Sequence, residues 1–137
     1  MAKVTVRNRI LRSLRNRTGE VLLRADVADF ADPSQVTRAL QELIADGEIV
    51  RVGYGVYAKA TMNQITGNPR ARAGLGEIAS EFFEKQGISA QPGKAQREYL
   101  AGTTTQIPMK VSFYTGKRRV SRKLSIGNSV VRYESTL

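Results

Sequence analysis

Ser34, Gln35, Thr37, Arg38 and Gln41 are the residues whose types and spacing best suit them to act on a partner. Wound into a helix, they fall on the side opposite Val36, Leu40, Leu43 and Ile44, so all five would point outward together. Their chemistry is recognition through hydrogen bonds. An arginine side chain can hold a guanine edge with two bonds in a major groove, which makes Arg38 the first candidate for a base contact. Ser34, Gln35, Thr37 and Gln41 have the reach for a base or a phosphate, and Ser34 and Gln35 stand in a first turn whose free amides also suit a phosphate. Further on, Arg51 and Lys59 add charge, and Tyr54 sits between Gly53 and Gly55, glycines that also serve a tight turn.

The elements needed to present these side chains are written in the same stretch. Asp32 is placed to cap a helix and Pro33 fits its first position; Gly47 provides the left-handed residue that closes it. Two short strands follow, Ile49–Val52 and Val56–Lys59, around the Gly53-Tyr54-Gly55 tip. Upstream, residues 3–17 hold six basic side chains and no acidic one, with Val6, Ile10, Leu11 and Leu14 on an inward face and Arg9 and Arg12 turned out as secondary phosphate candidates. Val21–Leu23 is a brief strand or the lead into a second helix over Ala25–Phe30. Helix, turn, helix and hairpin in that order are the pattern of a winged helix-turn-helix. The expected core is Ile10, Leu11, Leu14, Leu22, Val27, Phe30, Val36, Leu40, Leu43, Ile44, Ile49, Val56 and Tyr57.

Composition narrows the chemistry. Twenty-two Lys and Arg against 12 Asp and Glu leave a formal charge of +10 over 137 residues, which favours a polyanionic partner, nucleic acid above all. With no cysteine there is neither a disulfide framework nor a thiolate metal site, and with no histidine the commonest general base and metal ligand are both missing. No cofactor or metal is expected, and the chain does not read as an enzyme. Charges interrupt every short apolar group near the N-terminus, so neither a membrane span nor a signal peptide is expected and the cytoplasm is the default location.

Residues 61–72, with Gly67, Asn68 and Pro69, read as a linker between a first domain over residues 1–60 and a second over residues 73–137. In the second, Ala73–Gln86 and Lys94–Ala101 have helical patterns, and Met109–Thr115, Arg118–Ile126 and Ser129–Tyr133 read as a three-stranded antiparallel meander. The whole is therefore α+β. Glu77, Glu81 and Glu84 share a helix side; the spacing is open to paired carboxylates, but a solvated acidic face is the better reading. Lys110, Lys117, Arg118, Arg119, Arg122 and Lys123 fall within 14 residues without an acid, as a solvated strand edge, a secondary phosphate-binding surface or a docking surface for an acidic protein.

The segment VADFADPSQVTRALQELIADGEIVRVGYGVYAK resembles the winged-helix part of AbiEi-like antitoxins of type IV toxin-antitoxin systems. The likeness is carried by Val36, Ala39, Leu40, Leu43, Gly47, Ile49, Arg51, Gly55, Val56 and Tyr57; LAGTTTQIPMKVSFYTGKRRVSRKLSIGNSVVRYE is similar to the second half of short AbiEi-related proteins. The resemblance implies a bacterial repressor of its own operon that binds repeated operator DNA and counteracts a nucleotidyltransferase-like toxin, without necessarily gripping it. This chain is shorter than the longer antitoxins of that group. The competing expectation, from size, charge and the basic second half, is an RNA- or ribosome-associated binding protein.

Overall fold

A computed structural model describes residues 5–108, 110–116, 120 and 122–134, and the chain is α+β. It divides into two units, Met1–Ala73 and Gly74–Leu137.

In the first unit, Thr5 caps α1 (Val6–Asn16), its hydroxyl accepting from the Asn8 amide at 3.1 Å. The apolar spacing then does what it implies, burying Ile10, Leu11 and Leu14. β1 (Val21–Leu23) runs straight into α2 (Arg24–Val27), where Asp26 reaches back to accept from the Leu23 amide at 2.9 Å. The expected second helix, Ala25–Phe30, is thus shorter and one residue earlier: the chain must leave the helical path before Pro33. Asp32 caps α3 (Pro33–Ala45) by accepting from the Gln35 amide at 3.2 Å. Gly47, at φ +77°, turns the chain into β2 (Ile49–Gly53), and a side chain here would be crowded by Pro69, whose Cγ lies 3.2 Å from an added Cβ.

β3 (Val56–Met62) is the centre of the sheet. It pairs antiparallel with β1 and with β2, the β2 register shifting between Arg51 and Gly53. Residues 61–72, expected as a linker, instead extend this sheet at both ends of a loop: Thr61 and Met62 finish β3, and β4 (Pro69–Ala71) pairs antiparallel with Ala60–Met62. The Lys59 amide donates to the Glu20 carbonyl while its own carbonyl accepts from Arg72, so β4 continues the edge of β3 that β1 occupies. The Arg72 guanidinium then grips both Glu20 carboxylate oxygens at 3.2 and 3.1 Å. Asn63 organises the intervening loop by accepting from the Ile65 and Thr66 amides. The core holds every expected residue, with Phe30 and Ile44 only partly buried at its margin.

In the second unit, α4 (Leu75–Lys85) buries Leu75, Ile78, Ala79, Phe82 and Phe83. Phe83 meets Phe113 and Tyr133 edge-on, with centroids 5.1 and 6.1 Å away. β5 (Gln91–Pro92) leads into α5 (Lys94–Leu100), followed by β6 (Ser112–Tyr114), β7 (Ser125–Ile126), β8 (Ser129–Val130) and β9 (Arg132–Glu134). The expected meander is corrected here. β6 pairs antiparallel with β5 and parallel with β9, while β7 and β8 form a separate hairpin across Gly127-Asn128. Of the expected strand Arg118–Ile126, the described part is extended into pairing only at Ser125–Ile126. A parallel pair requires a crossover between its strands, and residues 115–131 supply it. Among the described residues, no helix is long and apolar enough to cross a membrane.

Candidate nucleic-acid interface

α3 turns Val36, Ala39, Leu40 and Leu43 inward, and the same periodicity leaves Ser34, Gln35, Thr37, Arg38 and Gln41 exposed on the outside. Ser34 donates to Asp32 Oδ1 at 2.9 Å, which ties it to the cap. The side chains of Gln35, Thr37, Arg38 and Gln41 make no hydrogen bond or ion pair among the described residues.

The arginines of the first unit sort into two classes. Arg7, Arg15, Arg17 and Arg72 pair with Asp46, Glu48, Asp26 and Glu20 at 2.6, 3.7, 3.6 and 3.1 Å, so much of their charge is spent within the unit. Arg9, Arg12, Arg24, Arg38, Arg51 and Arg70 have no carboxylate partner among the described residues. Two of these flank the start of α3. Arg9 donates to the Phe30 carbonyl at 2.8 Å and lies 4.9 Å from the centre of the Phe30 ring; Arg24 donates to the Pro33 carbonyl at 2.9 Å. A guanidinium has five N–H donors in a fixed fork, so one bond to a carbonyl orients the group and leaves donors for an anion. Arg24 is therefore held in place at the first residue of α3, and Arg9 at Phe30, three residues before it.

Arg24 was missed by the sequence reading. As the first residue of α2 it sits nine positions before Pro33, and only the turn between α2 and α3 brings them together; no local pattern announces it. Arg12 is exposed on α1 as expected. In the β2–β3 hairpin, Arg51 is exposed and curls over its own tip, donating to the Gly53 carbonyl at 3.3 Å with its guanidinium 5.9 Å from the Tyr54 ring centre. Tyr54 is 79% exposed, so the tip presents an aromatic and a cation together.

Lys59 does not belong to this surface. It is only 9% exposed, and its ammonium donates to the carbonyl of Arg17 just past the end of α1. A cation there satisfies an orphan helix carbonyl and complements the negative end of the helix. In the second unit, Arg122 lies with its guanidinium 5.6 Å from the Phe82 ring centre, and Lys123 is exposed. Lys110 of the same expected basic run is exposed as well, while Lys117, Arg118 and Arg119 lie outside the described residues. Among the described residues no cluster of three or more acidic side chains is arranged to hold a metal ion. Glu134 caps α5, its two carboxylate oxygens accepting from the Lys94 amide at 3.1 and 3.0 Å, with Ser112 donating to one of them at 3.3 Å.

Neither the curated proteins nor the solved structures contain a match to this chain. The model of a family of unknown function, DUF6088, matches residues 9–137, and the chain belongs to that family.

Proposed function

We propose that this member of a family of unknown function is a sequence-specific DNA-binding repressor. In this reading the first unit is a winged helix-turn-helix: α3 enters the major groove and the β2–β3 hairpin is the wing beside it. One observation carries the reading, the outward face of α3, where Gln35, Thr37, Arg38 and Gln41 are exposed and uncommitted, with Arg24 docked on the Pro33 carbonyl at the helix start and Arg9 on the Phe30 carbonyl just before it. Arg38 reads a base edge, Arg9 and Arg24 hold phosphates, and Arg51 with Tyr54 meets the flanking backbone. The likeness to AbiEi-like antitoxins extends the proposal to an autoregulating antitoxin that binds operator repeats and counteracts a nucleotidyltransferase-like toxin.

Selection of bound duplexes from a random pool tests it. A short enriched sequence is expected, and Arg51→Ala should weaken binding to all duplexes alike. Enrichment of no sequence, or preference for structured RNA over duplex DNA in competition, would overturn the reading. Rescue of growth on co-expression with a nucleotidyltransferase-like toxin from the same operon separates an antitoxin from a repressor alone.

A further inference from the structure

The first unit holds a pocket of about 180 Å³, lined by Leu14 and Arg15 of α1, Glu48 ahead of β2, Lys59 and Ala60 of β3, and Arg72 just past β4. It is smaller than the sites that take drug-sized ligands and suits a small anion. We propose that this pocket binds a phosphoryl group, as free phosphate or as the terminal phosphate of a small ester.

Lys59 selects an anion. It is nine-tenths buried, its ammonium donates one hydrogen bond, to the Arg17 carbonyl, and no carboxylate pairs with it among the described residues. An ammonium has three donors, so two remain, and a buried charge that meets only a neutral acceptor is costly until an anion joins it. The two arginines select a phosphoryl group. Arg72 spends Nε and Nη2 on Glu20, which leaves both N–H groups of Nη1. Arg15 Nη2 stands 3.7 Å from Glu48 Oε1, beyond hydrogen-bond distance, so its guanidinium fork is uncommitted. Even with Glu20 counted beside Glu48, three cations face two carboxylates and the site is net positive. Donors from three side chains suit the three terminal oxygens of a phosphate monoester and its charge of about −1.5 to −2, more than they suit the two oxygens and single charge of a carboxylate.

Calorimetry on the nucleic-acid-free full chain at low salt, with inorganic phosphate, adenosine monophosphate and acetate as probes, tests this. One phosphate or one adenosine monophosphate per chain is expected, the tighter of the two identifying the source as the free ion or the ester, with acetate weaker by at least about tenfold. Arg15→Gln should weaken the tighter probe by at least about fivefold and Lys59→Met by at least about tenfold, since each removes a charge-assisted hydrogen bond. Glu48→Gln should tighten it, because the one carboxylate of the lining is neutralised, and Lys85→Gln, on α4, should change nothing. Ala60 also lines the pocket, and Ala60→Glu should abolish binding with every cation kept, so it decides the matter if Lys59→Met melts early. No binding of either phosphate, several weak sites per chain, acetate as tight as phosphate, or insensitivity to Arg15→Gln and Ala60→Glu would overturn the proposal. So would loss of binding in Arg24→Gln, which would place the anion at the start of α3 instead.

Discussion

Arg38 and Lys59 are both cations of the first unit, and their surroundings give them opposite work. Arg38 projects from α3 with nothing to hold it, so Arg38→Ala should leave stability within about 0.5 kcal/mol of the parent. The same change should cost about 1–3 kcal/mol of discrimination at one base pair, visible as relaxed preference when duplexes differing at single positions are compared. Lys59→Met removes a buried hydrogen bond from an ammonium to a helix-end carbonyl, and unfolding in denaturant should show a loss of about 1.5–3 kcal/mol. Its binding should keep the parent's salt dependence; a shallower slope would return Lys59 to the DNA surface. The difference was only half legible. Helical spacing around Val36 and Leu40 points Arg38 outward from the sequence alone. Strand alternation gives no such help for Lys59, because Val56, Tyr57, Ala58 and Lys59 are all buried in succession, and what covers Lys59 is the end of a helix more than 40 residues earlier.

Elements with strong local signals lie close to where the sequence puts them: α3 between its aspartate cap and Gly47, α4 on its apolar stripe, α5 from Lys94. The β6–β9 pair could not be read, since nothing in either strand says that its neighbour arrives parallel after a crossover. That pairing brings Glu134 against Lys94 and leaves Gly93 no room for a side chain: an added Cβ would clash with Ser112 Oγ and lie 2.7 Å from Glu134 Oε1. Gly93→Ala should therefore destabilise the second unit by about 1–3 kcal/mol, detectable by thermal melting. Tyr133 on β9 supplies a pH test. Burial raises its pKa above the ordinary 10.0 and Arg122 opposes the rise, while the hydroxyl donates to the Arg122 carbonyl at 2.6 Å. A folded pKa above the unfolded one means stability that is complete below about pH 10 and is lost as pH rises through the folded value. Melting temperature should fall at alkaline pH, and Tyr133→Phe should flatten that part of the curve.

At the scale of the molecule, placing the division after Ala73 changes what the charge means. With the boundary at residue 60 the second part is the more basic, at +7 against +3; with it at Ala73 the counts are 12 basic against 7 acidic and 10 against 5, or +5 on each side. The second unit then has no excess that marks it as the nucleic-acid half. The boundary itself is testable: a fragment of residues 1–73 keeps β4 and the Arg72–Glu20 clamp and should melt cooperatively, whereas residues 1–60 cut β3 two residues short of its end at Met62 and lose both β4 and the clamp, and should melt lower or not fold. The same fragment tests whether the first unit is the DNA-binding part that the proposed function requires. Six arginines of the first unit lack a carboxylate partner, and about six phosphate contacts give a slope near −5 for log affinity against log salt. If the first unit supplies them all, the 1–73 fragment and the full chain should share that slope by titration from low to moderate salt. A flat response in both would remove duplex DNA as the partner, and a full-chain slope much steeper than the fragment's would assign phosphate contacts to the cations of the second unit.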